Sequence, residues 1–223
     1  MADGGVGILG GTFDPVHLAH LRAAVEVREA LGLDEVRLVP AAAPPHKADR
    51  ALAAPAHRLR MVELATGDVP GLRPWAVELE RPGPSYSVDT VRALRAEVGS
   101  TRRIVFVLGR DAFADFHTWR EPEGILALAD VVILTRPPWP ALLGLDDFHV
   151  ATRGTLCYDS VSGSFRHASG HEVRLLPITP LDVSATDIRT RAASGRSVRF
   201  LVTAAVERYI ETHALYHAED DRH

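Results

Sequence analysis

The stretch GVGILGGTFDPVHLAH, residues 5–20, leaves an apolar segment through two glycines, turns at Asp14-Pro15, and sets down two histidines three residues apart. Residues 5–10 read as a buried strand. Beyond His17, the residues Leu21, Ala24, Val25 and Leu31 fall near one helical face, with Arg22, Glu26 and Glu29 opposite. A strand feeding a helix through a glycine corner is the opening unit of an α/β sheet, and the rest of the chain repeats the pattern.

Residues 36–40 (VRLVP) are a second strand ended by proline, and residues 55–66 a helix that opens on Pro55, a residue favoured in a first turn. A strand near 75–79, a helix near 88–97 and the apolar run RIVFVLG at 103–109 follow. Next come a helical PEGILALA, the strand DVVILT at 130–135, a strand at 172–178, and helices near 185–193 and 203–213. Strands alternating with helices, several apolar throughout, imply a parallel sheet covered on both faces. The fold class is α/β, with a doubly wound, mostly parallel, Rossmann-like sheet.

Residues 144–171 break the pattern. They are Gly/Ser-rich with weak periodicity, and so long a structureless loop is uncommon inside a compact domain. The stretch is expected to be a hairpin insertion or a flexible loop, peripheral to the chemistry and replaceable by a short linker. The organisation expected is a single domain over residues 1–216 with a frayed tail at 217–223.

Composition narrows the classes. With 46% hydrophobic and 24% charged residues, the chain is ordinary globular material. A formal charge of −4 lacks the basic footprint of a duplex nucleic-acid binder, so anionic ligands must be met by local charges. The single cysteine, Cys157, leaves no internal disulfide and no multi-cysteine metal site. No apolar run approaches the ~18 residues that span a bilayer, and the start has no basic region of a signal peptide. A cytoplasmic protein with neither nucleic-acid nor membrane partners is expected. A homo-oligomer is compatible with the sequence, which sets no oligomeric state.

Open α/β sheets bind ligands outside the carboxyl ends of their strands, and the glycine corner lies at such an end. Gly10 and Gly11 let backbone approach a ligand, and the following helix offers unpaired N–H groups to an anion. His17 and His20, three apart, point to one side of a helix. Alone, the pair also reads as a tight turn with two surface histidines. Zinc is poorly supported, because H-E-x-x-H is absent and no third ligand lies nearby. However, GGTFDPVHLAH closely resembles the G-G-T/S-F-D-P-x-H-x-G-H signature of the nucleotidyltransferase superfamily, whose members transfer AMP or CMP. Ala19 replaces the usual glycine between the histidines.

Residues 184–189 read SATDIR. Ser184 with Asp187 three residues on has capping-box spacing, so a helix starts there. Its N–H groups, the hydroxyls of Ser184 and Thr186, and Arg189 form a candidate phosphate cluster. The segment resembles the superfamily's second signature, which holds ATP phosphates, with Ala185 in place of the middle serine.

Between the signatures, APPHK places Lys47 past the second strand, and PSYSVDT (84–90) opens a helix that Ser85 or Ser87 can cap. GRDAFADFHTW (109–119) supplies Gly109, Asp111 and Trp119, and TRPP puts Arg136 at a strand's carboxyl end. Together these segments resemble the bacterial nicotinate-nucleotide adenylyltransferases, with Ser87 standing where that family usually has threonine. The resemblance implies transfer of AMP from ATP to nicotinate mononucleotide, giving nicotinate adenine dinucleotide and pyrophosphate. It implies catalytic roles for His17, His20 and Arg189. ATP contacts would come from Gly10, Gly11, Thr12, Phe13, His17, His20, Gly109, Asp111, Ser184, Thr186 and Arg189. The mononucleotide would meet Lys47, Ser85, Tyr86, Ser87, Trp119 and Arg136. Mg²⁺ would arrive on the ATP phosphates, with no dedicated protein ligands. Nicotinamide mononucleotide or another phosphate acceptor is the alternative substrate. A non-catalytic nucleotide-binding regulator is the alternative class, which the intact His17, His20 and Arg189 oppose.

Overall fold

At the centre of the sheet lies β1 (Val6–Gly11), paired in parallel with β2 (Glu35–Pro40) on one side and β4 (Ile104–Gly109) on the other. The structure is a computed structural model that describes residues 4–42, 52–136, 144, 148 and 153–216. Among these residues, β3 (Leu72–Pro74), β5 (Asp130–Thr135), β6 (Leu156–Asp159), β7 (Ser164–His167) and β8 (Glu172–Pro177) complete one sheet of order β3-β2-β1-β4-β5-β8-β7-β6. The first six in that order run parallel, and β7 and β6 are antiparallel additions at one edge.

The central strands are apolar throughout because both faces are covered. Along β4, Val105 and Val107 enter one core, while Ile104, Phe106 and Leu108 enter the other. The first core is closed by α1 (Leu18–Leu31), α2 (Pro55–Thr66), α6 (Ala185–Ala193) and α7 (Ala204–Thr212). The second is closed by α3 (Ser87–Val98), α4 (Arg110–Ala114) and α5 (Pro122–Leu126). Each fully buried aliphatic side chain contributes about 1.5–3 kcal/mol, so the two cores fix the strand order rigidly. The chain winds away from β1 toward β2 and β3, then returns to build β4 and β5 on the other side. Such a reversal opens a crevice at the carboxyl ends of β1 and β4, where ligands bind in doubly wound sheets.

One expectation is corrected here. The strand expected near 75–79 ends earlier: β3 stops at Pro74, and Trp75 N–H makes one more bond to Leu38 O at 3.0 Å. The chain then turns, with Leu79 and Glu80 N–H both donating to Ala76 O. The alternation of Trp75, Val77 and Leu79 imitates a strand, but the turn serves to bury Glu78, whose carboxylate accepts from Thr90 Oγ1 at 2.7 Å.

Of the segment 144–171, expected to be a hairpin insertion or a flexible loop, the described residues include a hairpin packed into the second core. Residues 156–167 form the β6–β7 hairpin, and Phe148, Leu156 and Phe165 are buried in the second core. Phe148 sits edge-on to Phe113 at 5.4 Å and to Phe165 at 4.7 Å. His167 Nε2 meets Glu123 Oε2 on α5 at 3.0 Å, and Ser169 Oγ donates to Leu126 O at 2.9 Å. Its apolar residues follow no regular period, yet Phe148, Leu156 and Phe165 are buried while Tyr158 and Val161 are exposed. Lys47 and the tail at 217–223 lie outside the described residues.

Candidate active site

Two adjacent cavities open at the carboxyl ends of β1 and β4, and they share Leu9, Gly10 and Gly109. A Cβ placed at Gly10 or Gly109 would meet nothing within 4 Å, so backbone stands bare to both spaces. Gly11 differs. A Cβ there would touch the Phe13 ring at 3.0 Å, so this glycine admits Phe13 as much as a ligand.

The first cavity, about 390 Å³, gathers Ser85, Tyr86, Ser87 and Trp119. Tyr86 is the N-cap of α3 with extended backbone, and neither expected serine hydroxyl caps the helix. Ser85 is otherwise engaged: its Oγ accepts from Ala42 N–H at 3.3 Å, and its hydroxyl bonds the Glu78 carboxylate. The start of α3, with no side-chain cap, borders the cavity through Tyr86 and Ser87. Trp119 is edge-on to Phe106 at 6.2 Å and tilted against Phe116 at 5.4 Å, and its remaining surface lines the space. The Arg120 guanidinium lies 4.6 Å from the centre of the Tyr86 ring and lines the same cavity. Glu78, 8% exposed, also lines it, and burial pushes its carboxyl above the usual range.

The second cavity, about 420 Å³, is lined by Ala19, His20, Arg110, Asp111 and Arg136. Arg136 was expected beside the Ser85–Trp119 cluster. It lies instead with His20 and Asp111, because β5 delivers its carboxyl end to the far side of β4. Gly109 caps α4 and Asp111 sits in its first turn, exposed. The Ala19 methyl, where the signature has glycine, is part of this wall.

The histidine pair is stacked, with ring centroids 3.7 Å apart and 20° between planes. His17 is the N-cap of α1, and its backbone N–H donates to His20 Nδ1 at 3.3 Å. A neutral imidazole that accepts at Nδ1 carries its proton on Nε2, so His20 presents a donor. His17, only 6% exposed, lines neither cavity and stacks against His20. Burial, helped by the charge of Arg136, lowers its pKa to about 4, so it is neutral at pH 7. Phe13 also lines neither cavity. It is buried with its ring edge-on to His20 at 5.0 Å, and so acts by seating that imidazole.

The second signature approaches the corner from α6. Ser184 Oγ accepts from Asp187 N–H at 3.1 Å, the expected cap. Arg189 donates to Thr186 Oγ1 at 2.9 Å and to the Asp14 carbonyl, and lies 3.7 Å from Asp14 Oδ2. Neither Ser184, Thr186 nor Arg189 lines the two cavities. Thr12 is held through its carbonyl, which accepts from Arg58 Nη1 at 2.8 Å. Arg58 is 1% exposed and also donates to Ala41 O, Ala42 O and Ala53 O, tying the corner to the end of β2. Asp14, Arg58, Glu78 and Arg120 were not singled out by sequence reasoning. Only Asp14 carried a signal, as part of the signature.

The cytidylyltransferase-like family model matches residues 8–191, which span both signatures and all of the parallel strands except the first two residues of β1. The chain belongs to that family of nucleotidyl-transferring α/β proteins. A Geobacter sulfurreducens protein is 44% identical over 94% of this chain and 97% of its own, and one from Pseudomonas putida is 45% identical over 96% and 95%. Both bear the name "Probable nicotinate-nucleotide adenylyltransferase", and at that identity over nearly full length the chain is a member of the nicotinate-nucleotide adenylyltransferase family. In fold it is similar to the solved Plasmodium falciparum nicotinic acid mononucleotide adenylyltransferase complexed with NaAD. The TM-score is 0.69 at 17% identity, covering 96% of this chain and 97% of that one.

Proposed function

We propose that this chain transfers AMP from ATP to nicotinate mononucleotide, releasing pyrophosphate and forming nicotinate adenine dinucleotide, a step of NAD synthesis. The observation that carries the reading is the shared Gly10–Gly109 floor, with His20 on one side and the Ser85–Ser87 helix start with Trp119 on the other. ATP occupies the His20 side and the mononucleotide the Trp119 side, so acceptor phosphate and α-phosphorus meet over bare backbone. The acceptor phosphate is already anionic near pH 7, and no protein nucleophile is required. It attacks the α-phosphorus in line, and the bond to the pyrophosphate oxygen breaks. Catalysis then rests on positioning and on donors aimed at the transferring group.

His20 is the donor in contact, and His17 orients it by stacking and through the backbone bond to its Nδ1. Arg136 belongs with the nucleotide phosphates rather than with the pyridine ring. Ser184, Thr186 and Arg189 receive the leaving pyrophosphate at the start of α6, and Lys47 contacts the mononucleotide. Among the described residues no group of three His, Cys, Asp or Glu side chains is placed to hold a metal ion. Mg²⁺ would be carried by the nucleotide phosphates and their waters, and Asp111, a carboxylate lining the second cavity, would be available to it. When bound, the ion neutralises phosphate charge and eases pyrophosphate departure.

The whole of residues 1–216 acts as one adenylyltransferase domain, and a cytoplasmic setting suits both substrates. No helix among the described residues is long and apolar enough to cross a membrane.

Acid is preferred to amide. Nicotinate presents a carboxylate with acceptors only, whereas nicotinamide turns N–H donors toward the donor-rich start of α3. The test is pyrophosphate release from ATP with nicotinate mononucleotide, nicotinamide mononucleotide and phosphopantetheine side by side. A kcat/KM at least ~10² higher for the acid is expected, since a site built to hydrogen-bond one group strongly rejects its mismatched analogue. Equal values for acid and amide would overturn the acid preference, and release with phosphopantetheine alone would overturn the pyridine reading.

A further inference from the structure

Asp14 lies in the turn that joins the glycine corner to His17, and at 2% exposure its carboxylate is almost wholly removed from water. A buried carboxylate is tolerated only where it is well bonded. Here the partners come from three distant parts of the chain. Oδ1 accepts from the Tyr216 hydroxyl at 2.8 Å and from Ala53 N–H at 3.2 Å. Arg189 Nη1 stands 3.7 Å from Oδ2 and donates to the Asp14 carbonyl. Oδ2 itself has no hydrogen bond among the described residues. The orientation of the carboxylate therefore depends on the two donors at Oδ1.

Of those two, the backbone N–H of Ala53 is common to any sequence, and the phenol is specific. Leu215 and Tyr216 pack against the first core beside α2 and α7, so the ring is seated independently of its hydroxyl. Burial and the neighbouring Asp14 push the phenol pKa upward, which keeps the hydroxyl a donor at every working pH. We propose that Tyr216 is a positioning residue of the active site: through Asp14 it fixes the turn that seats His17 and His20 and the guanidinium of Arg189. Without the hydroxyl, the carboxylate is free to rotate toward Arg189, and both the turn and the arginine relax with it. The inference rests on the adenylyl-transfer reading for its kinetic consequence, and on geometry alone for its structural one.

Tyr216→Phe keeps the ring and removes one hydrogen bond to a charged group, so its effects should be about tenfold. We expect kcat to fall by that factor while KM for ATP and for nicotinate mononucleotide each stay within about twofold. Amide hydrogen exchange over residues 12–20 should quicken about tenfold, with β4 and β5 unchanged. In an Asp14→Ala background, Tyr216→Phe should change neither quantity further. Equal losses in both backgrounds would show that the tyrosine does not act through Asp14. Unchanged exchange over residues 12–20 in Tyr216→Phe would overturn the proposal outright, even if Asp14→Ala fails to fold. If the unaltered protein fails to transfer AMP to the mononucleotide, the functional reading falls and the exchange result still decides the role of Tyr216.

Discussion

His17 should make the protein markedly less stable in mild acid. Its imidazole is buried and its pKa is lowered from 6.5 to about 4, first by desolvation and then by the charge of Arg136. In the unfolded chain the ring titrates normally, so between these two values the unfolded state binds more protons than the folded one. The sign follows: the stability tied to a neutral His17 is fully present above pH 6.5 and is lost as pH falls toward 4. Integrating over that window gives about 2 kcal/mol lost by pH 5 and about 3 kcal/mol by pH 4. Glu78 runs the opposite way, because burial raises its carboxyl and its contribution is lost as pH rises. A comparison with a variant cancels that background. His17→Asn keeps a favoured N-cap residue at the start of α1 and removes the titrating ring. Urea unfolding of both proteins at pH 7.5 and pH 5.0 measures the difference. The unaltered protein should lose about 2 kcal/mol more than His17→Asn over this interval. Parallel losses in the two proteins would refute a neutral, desolvated His17.

His20→Ala should lower kcat by about 10²–10³ with little effect on ATP affinity, because one donor to the transferring group is gone. Turnover and equilibrium ATP binding, measured on the same preparation, check the pair of outcomes. Trp119→Ala should raise KM for acid and amide acceptors alike, roughly tenfold, since stacking on a flat ring ignores the substituent. A selective loss for one acceptor in parallel kinetic runs would count against stacking. Phe148→Ala should destabilise the fold by about 3–5 kcal/mol, as for other buried aromatics, while the KM values of the surviving enzyme stay unchanged. Thermal unfolding together with steady-state kinetics separates those effects.

Reading the sequence reached the corner and the sheet because both rest on short-range rules. Continuous apolar runs mark strands buried on two faces, and the glycine pair, the histidine spacing and Ser184 with Asp187 are local patterns with local causes. What escaped depends on long-range geometry. Arg58 sits in a helix whose charged residues ordinarily face water, and nothing nearby shows that four backbone carbonyls converge on it. Glu78 lies in a run that alternates like a strand, and only the partner Thr90 on α3 explains the turn that buries it. Arg136 was correctly placed at the carboxyl end of a strand, yet which cavity it enters depends on lateral strand order. The segment 144–171 hid its anchors for a similar reason, since Phe148 meets both Phe113 and Phe165, residues from separate segments.

A chain of net charge −4 that binds two polyanions must do so with local charge, and the structure indicates how. Much of the surface charge is consumed in pairs such as Arg37 with Glu97 and Arg191 with Asp187, and beyond about 8 Å the remainder is screened at physiological salt. Around the crevice the balance is different. Arg110, Arg136 and His20 border the second cavity against one exposed carboxylate, Asp111, and Arg120 borders the first. Among the described residues lining the first cavity the one carboxylate, Glu78, is buried, which disfavours its charged form. Adding a further cation at His17, in a corner already desolvated and beside Arg136, would be costly in the absence of phosphate, and the lowered pKa expresses that cost. A neutral His17 avoids that cost and still stacks on His20. Positive charge is concentrated on the arginines at the cavity walls, where the phosphates arrive. Under the proposed assignment the transferring group meets the Nε2 of His20, a donor whose hydrogen bond would strengthen as charge develops in the transition state.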